Sequence, residues 1–444
     1  MAWDQKQWSY MPCVLILAAL LWQADPQAEG MRALEAQQYP AAVEAFRRAV
    51  AADEKNFAAR FHLALAQSLA GDDAAAIEEY HKTLELKPGL YEAELNLGIV
   101  LLNQKQASKE HAQNGSAVRS GNPCASGQIG GADGDLCAME AVALLRAAAA
   151  AKPETFRPNY YYAEALLATS GWEAALRQFD IALRLDPKSA AAHSGMARAL
   201  GALGRVDEAE THFRQAEKLD PAYRDGLLEL ASLREKAKNY DAAIAIYQEF
   251  LDQVGVRERL GQLYLETGRP AEAIPHLENA VKASPSSANL YALGTAYLRA
   301  KETQKAMAAF EQAIAAEPSN ADLGLSYAGL LRDQKNFAAA AKQYWRITQL
   351  EPGSKAAWTG LATMLLSLEN YAQALAAFDR LEALGDPSPG IYFFRALAHD
   401  HGKQYQPALE NYQRFLSLSQ DKYPDEEFKA RQRIKVIQKE LSKR

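Results

Sequence analysis

The sequence predicts an all-α fold, a solenoid of stacked helix–turn–helix units closed by a C-terminal capping helix. Three observations predict it. An alanine returns at Ala42, Ala76, Ala141, Ala175, Ala209, Ala243, Ala273, Ala306, Ala340, Ala374 and Ala408, mostly in one constant step, as from 42 to 76 and from 374 to 408. Four residues after each comes a large side chain: Phe46, Tyr80, Leu145, Phe179, Phe213, Tyr247, Leu277, Phe310, Tyr344, Phe378 and Tyr412. Twelve residues after it, seven units carry a proline, at Pro88, Pro153, Pro187, Pro221, Pro285, Pro318 and Pro352. A fixed period of this size marks a chain whose units bury their apolar faces only by stacking on their neighbours.

Each element of the unit has a physical reason. A small residue twelve positions before the alanine, such as Gly30, Ala64, Ala163, Gly261 or Gly294 (and Gly98 once the insertion in its unit is discounted), sits near the middle of a first helix. A larger side chain there would overpack the crossing with a second helix. Turn signals follow: Gly71-Asp72-Asp73, Ser170-Gly171, Gly204, Thr267-Gly268 and Asn370. The alanine and the large residue four positions on then share one face of the second helix. The proline lacks an N–H and biases its predecessor away from helical angles, so it ends that helix.

Along the chain, Pro12–Trp22 contains the apolar run Val14 to Leu21, too short to span a bilayer but sized for a signal-peptide core. It lies ahead of the first unit, which starts near Gln23, and has no stacking role. The expectation is export, to a periplasm or cell envelope, with membrane contact only transiently through residues 1–22. The alternatives are a cytoplasmic protein with an apolar strap over its first unit, or a start at Met11. Cys13 precedes the apolar run and is not placed as a lipoprotein cysteine.

The step from Ala76 to Ala141 is nearly twice the usual one, so the third unit is split by an insertion. Residues 104–136, rich in Gly, Ser, Asn and Gln, read as a mobile loop between its two helices. Cys124 and Cys137 both lie in or just beyond it. In an oxidising compartment they can form a disulfide worth roughly 3 kcal/mol in the chain-entropy picture. The acidic glycine run Gly130–Asp135 lacks the spacing of a calcium loop. Asn114-Gly115-Ser116 has the form of a glycosylation acceptor. The step from Ala243 to Ala273 falls four short of the usual one, with Gly255 where proline is expected, which predicts a clipped second helix or inter-repeat loop. At the far end, Asp425-Glu426-Glu427 and the later Lys439, Lys443 and Arg444 complement a helix dipole. Phe428, Ile434, Ile437 and Leu441 are expected to cover the last unit's apolar face.

The combination resembles the tetratricopeptide repeat family. The unit from Val254 shows Leu260-Gly261, Tyr264, Ala273, Leu277 and Pro285. The next shows Leu293-Gly294, Tyr297, Ala306, Phe310 and Pro318. The resemblance covers residues 23–422, about eleven units, with 423–444 as the cap. It implies a right-handed superhelix whose first helices line the concave side, and a groove that takes a peptide or protein segment. The candidate groove residues are Arg157, Tyr160, Glu164 and Arg198, then Tyr291, Thr295 and Arg332. Aromatics beside arginines are the usual anchors of protein interfaces. A carboxylate clamp found in some members needs paired Lys and Asn; Asn96 fills one such place, but Phe61 and Leu65 stand in the matching ones.

No catalytic signature accompanies the repeats, and no cofactor or metal is expected. No phosphate-cradling loop or His-Glu-x-x-His occurs. His399 and His401 are two apart and point to different helix faces. His62, His193 and His276 stand singly at helical positions. A net charge of −6 with interspersed signs argues against nucleic acid as a partner. The expected function is a non-catalytic protein-interaction scaffold in a bacterial envelope. The alternative is an accessory subunit of an envelope polysaccharide or glycan-processing system, contacting saccharide through Tyr160 and Tyr291.

Overall fold

The structure, a computed structural model, describes residues 25–113, 132–385 and 388–442. Among the described residues it is all helical, with 23 α-helices, two short 3-10 turns and no strand. None of these helices is long and apolar enough to cross a membrane. The chain divides into two compact units, residues 1–243 and 244–444.

The first unit contains α1 (Pro26–Glu35), α2 (Tyr39–Ala52), α3 (Phe57–Leu69), α4 (Asp73–Leu86), α5 (Tyr91–Gln113) and α6 (Ala132–Ala151). It continues with α7 (Phe156–Ala168), α8 (Trp172–Leu185), α9 (Ala190–Ala202), α10 (Val206–Leu219) and α11 (Gly226–Lys236). The division falls within α12 (Tyr240–Tyr247). This second helix is clipped to little more than two turns and runs into the 3-10 turn Gln248–Phe250, whereas its counterparts are nearly twice as long.

The second unit contains α13 (Val254–Glu266), α14 (Pro270–Ala283), α15 (Ser287–Arg299), α16 (Thr303–Ala316), α17 (Ala321–Asp333) and α18 (Phe337–Leu350). Then come α19 (Lys355–Ser367), α20 (Tyr371–Ala383), α21 (Pro389–His401), α22 (Tyr405–Ser419) and α23 (Pro424–Leu441).

From α1 to α11 and from α13 to α23, consecutive helices pack on one another. First helices of successive repeats also touch, as α3 on α5, α7 on α9, α13 on α15 and α17 on α19. Second helices show no comparable approach among the described residues. A stack that is close along one row of helices and splayed along the other bends with the close row inside. The first helices therefore line the inner side of each unit.

The periodic alanines are all fully buried. The large residues four positions later are between 0 and 8% exposed. Several meet the small residue of their own first helix. A Cβ built on Gly30 would lie 2.7 Å from the Phe46 ring, and one on Gly98 or Gly261 would lie 2.6 Å from Leu145 or Leu277. The following first helix closes the other side, where Gly195 sits against Phe179 and Gly360 against Tyr344. So Phe179 and Tyr344 sit against a glycine of the following first helix, whereas Phe46 and Phe378 meet the His62 and Phe394 rings there.

The turn from first to second helix repeats one backbone device. A residue with positive φ follows the first helix: Gln37, Gly71, Ser170, Gly204, Lys238, Gly268, Lys301, Lys335, Glu369 or Lys403. The next residue's N–H bonds back five positions, as Gln38 to Ala33 at 2.8 Å and Asn336 to Leu331 at 2.9 Å. That is the Schellman closure, which satisfies carbonyls orphaned by the helix end. The residue after it often caps the second helix, as Asp72 and Asn336 do by accepting from Ala75 N–H and Ala339 N–H. Only Gly71, Gly204 and Gly268 among these are glycines, so the other turns hold an L-residue where the left-handed region costs about 1–2 kcal/mol.

Two expectations need correction. The insertion is not a loop throughout 104–136: α5 runs on to Gln113 and α6 begins at Ala132. Gln, Lys, Ala and Glu are good helix formers, so they propagate the helix. Residues 114–131, with Cys124, lie outside the described residues, as do residues 1–24 with the apolar run. In α23, Phe428 does not cover the last repeat; it is 64% exposed. The covering stripe is Ala430, Ile434, Ile437 and Leu441, packed on Tyr392, Phe393, Tyr412 and Phe415. Phe428 is out of phase with that three-and-four spacing. The cap is also pinned by charge. Arg433 gives Nε and Nη2 to the buried Asp400 carboxylate at 2.7 and 2.6 Å.

Gly360→Val tests the slot. Its Cβ alone would lie within 2.6 Å of three ring atoms of Tyr344. The variant should lose about 1–3 kcal/mol of stability by chemical denaturation. An unchanged midpoint would show that the ring moves aside freely.

Candidate functional site: the inner face of the first helices

In the first unit, α7 carries Arg157, Tyr160 and Glu164 at three- and four-residue spacing, and α9 carries Arg198. These positions lie away from the buried stripe of α7, which includes Asn159, Ala163 and Ala165. Asn159 is fixed by giving Nδ2 to Pro153 O and Thr155 O at 2.9 and 2.7 Å, so the helix start is held.

The four residues play different parts. Arg157 is exposed, makes no ion pair among the described residues, and has its guanidinium 5.9 Å from the Tyr161 ring centre. Tyr160 is half-buried. Its ring stacks on Phe156 at 5.5 Å and meets Tyr161 edge-on at 5.1 Å and Phe179 at 6.3 Å. Part of that ring is core, so Tyr160 is not wholly the surface residue that helical spacing suggests. Burial pushes its hydroxyl pKa up, and the neighbouring Glu164 charge adds to the rise.

Glu164 is the electrostatically strained member. Burial raises its carboxyl pKa above the ordinary value, against the smaller opposing pull of Arg198 and a hydrogen bond from Tyr160. One of its oxygens lies where a side chain on Gly195 would stand. Arg198 is not free. It grips Glu229 of α11 through Nε and Nη2 at 3.0 and 2.8 Å, tying one first helix to the next.

The second unit has a separate stretch of inner face. Tyr291 of α15 is 38% exposed, packs edge-on to Phe310, and shares a hydrogen bond with Ser326 at 3.3 Å. It lines an open hollow of about 320 Å³ with Ser287, Glu317, Asn320, Asp322 and Leu323. Thr295 turns its hydroxyl back onto Tyr291 O at 2.9 Å and offers no outward donor. Arg332 pairs with its neighbour Asp333 at 2.9 Å. Of the expected anchors here, only Tyr291 presents its side chain to a cavity.

Sequence reasoning missed one pairing altogether. His193 does not stand singly: its Nδ1 is 2.9 Å from Nδ1 of His212 on α10. The same register places Arg60 on Glu79 at 2.8 Å and Gln178 on Asn159 at 2.5 Å. The separation along the chain is identical in all three pairs, and each begins at the same place in its repeat. That spacing was the available signal. Cys137, at the start of the packed part of α6, is disulfide-bonded.

Comparison with known proteins agrees with this architecture. The family profile described as Tetratricopeptide repeat matches residues 28–91, 163–209, 194–255, 258–321, 291–354, 328–389 and 359–427. The chain belongs to the tetratricopeptide repeat family. A curated relative is the Tetratricopeptide repeat and J domain-containing co-chaperone DNJ1 of Fusarium oxysporum f. sp. lycopersici, 27% identical over 173 residues. The match takes in 35% of this chain and 33% of that protein, so the chain spans about a third of the relative's length. Among solved structures, one titled MamA MSR-1 C2 is 22% identical with a TM-score of 0.35, over 44% of this chain and 95% of that one. Yeast Tom70 is 15% identical with a TM-score of 0.31, over 94% and 96%.

The Glu164 carboxyl gives a pH prediction. With its folded pKa raised above 4.5, its contribution favours the fold below that value and is lost as pH rises through the folded pKa. Glu164→Gln should therefore be more stable than the parent near neutral pH, with the gain fading below pH 4.5. Thermal unfolding on both sides of that value measures it; a variant less stable near neutrality would mean that Arg198 outweighs burial.

Proposed function

We propose that this tetratricopeptide repeat protein is a non-catalytic scaffold that holds an extended segment of another protein against the inner face of its first helices. The observation that carries this is the composition of that face between α7 and α9. An exposed, unpaired Arg157 stands beside a half-buried aromatic cluster and a carboxylate that burial makes costly to leave charged. An extended peptide supplies the complementary groups: a carboxylate for Arg157, an apolar side chain for the Tyr160 edge, and backbone N–H donors for Glu164. Aromatic and arginine anchors at a desolvated centre are where interface energy concentrates. The co-chaperone named among the relatives agrees with a protein-directed role.

The compartment belongs to the same proposal. Residues 14–21 have the length and character of an export signal core, and a disulfide at Cys137 suits an oxidising envelope compartment. Cys124 is its proposed partner.

Three measurements test this. Arg157→Ala, Tyr160→Ala and Arg198→Ala together should weaken capture from a displayed peptide library at least tenfold, about 1.4 kcal/mol, while the helical signal persists. Arg198→Ala alone should cost stability, about 0.5–1 kcal/mol for a half-exposed pair. Undiminished peptide capture by the triple variant overturns the groove assignment, and saccharide retention dependent on Tyr160 and Tyr291 would favour a glycan-processing role. Mass measurement of the mature protein, with and without reductant, should show a cleaved N-terminus and a two-proton gain on reduction. An intact leader with free thiols overturns export.

A further inference from the structure

The cap helix α23 closes the last repeat with one face, and its opposite face meets no other helix among the described residues. A terminal unit keeps a repeat stack soluble by turning a polar face outward. Two positions break that rule, since Phe428 and Val436 are 64% and 46% exposed. They share the outer side of α23 with Asp425, Gln432, Lys435 and Lys439, all of them exposed. The spacing of these residues, in steps of three and four, makes one helical stripe.

The order of that stripe is self-complementary. Asp425 and Lys439 stand at equal distances before and after Gln432, and so do Phe428 and Val436. A second α23 laid antiparallel on the first brings the two Gln432 residues together on a two-fold axis. Asp425 of each copy then faces Lys439 of the other, Phe428 faces Val436, and the helix dipoles oppose. Lys435 of each copy comes to lie beside the Phe428 ring of the other, where its aliphatic stem can cover apolar surface. A parallel pair would instead set Asp425 on Asp425 and Lys439 on Lys439, so charge selects the antiparallel one. The charges that this needs are uncommitted. Arg431 pairs with Glu427 at 3.0 Å and Arg433 with Asp400 at 2.6 Å, both off the outer stripe. Asp425, Lys435 and Lys439 form no ion pair among the described residues.

We propose that the outer face of α23 docks a second copy of this chain, as an antiparallel two-fold helix pair centred on Gln432. One pair of helices covers less than a standard protein–protein interface, so the dimer is weak and reversible. Phe428 and Val436 supply the apolar contact, and the charges set the register. A membrane is the poorer occupant. The stripe holds only two apolar side chains, and anionic lipid would repel the Asp425 that shares it. The pairing does not depend on the peptide-holding role of α7 and α9 but adds to it: two linked copies hold a partner with repeated segments by avidity.

Sedimentation velocity of the full chain at low ionic strength, from micromolar concentrations upward, should show monomer converting to dimer, and added salt should weaken the dimer. Every substitution acts twice in a two-fold pair. Phe428→Ser should therefore raise the dissociation constant at least tenfold. Asp425→Lys leaves only lysines at the two charged contacts and Lys439→Asp only aspartates, so each alone should show the same loss. Mixed in equal amounts, these two charge variants should form a heterodimer, because lysine then meets aspartate at both contacts. That recovery also shows that both variants fold. A parent that stays monomeric at every concentration, a dimer indifferent to these substitutions, or no recovery on mixing overturns the pairing. So does a monomer that binds phosphatidylserine vesicles through Phe428 and forms no dimer.

Discussion

The structure depends on a steric fit repeated along the chain. A large side chain on a second helix enters a slot opened by a small residue on a first helix that faces it. Phe179 fills the space left by Gly195 of the next repeat, and Phe46 the space left by Gly30 of its own. The fit couples neighbours, since one ring belongs to two repeats at once. It also brings first helices together while second helices splay, which places the first helices on the inside of each unit. The inner face is thus a consequence of packing. Residues such as Arg157 and Tyr291 are presented inward because of where glycine and alanine stand.

Polar pairs then hold the register that the rings establish. A position in the first turn of the first helix meets one just after the repeat alanine, and the chain fills that meeting point in chemically different ways. Arg60 with Glu79 is a nearly buried ion pair, both side chains 14% exposed. Asn159 with Gln178 is an amide pair, and His193 with His212 is a pair of imidazoles. Charged links also run between repeats, from Arg198 to Glu229 and from Arg433 to the buried Asp400. Side chains that helical spacing would count as available are often spent in this way. Arg157 differs from Arg198 in having no such tie among the described residues.

Much of the fold was legible because helix packing obeys a period. Every repeat alanine proved fully buried, and every large residue four positions on was buried with it. The short second helix after Tyr240 follows from a deficit visible in the spacing. The site was legible only in part. Helical spacing put Arg157, Tyr160, Glu164 and Arg198 on one face; the structure brings Tyr160, Glu164 and Arg198 together, while Arg157 lies against Tyr161. Their roles were not legible, because Glu229 is far from Arg198 in the chain and belongs to another helix. Thr295 and Arg332 shared the right face yet turn back on their own helices.

The sequence by itself determined the repeat, its helical class and which positions are buried, since small residues, rings and prolines act through local sterics at fixed spacing. Tertiary structure alone decided the partners. It joined His193 to His212, turned Phe428 outward, carried α5 on to Gln113 and committed Arg198 to Glu229. The physical reason is that burial follows from periodicity along one helix. Pairing depends on how side chains of two or three facing helices share a small space, and no spacing along a single stretch of sequence encodes that choice.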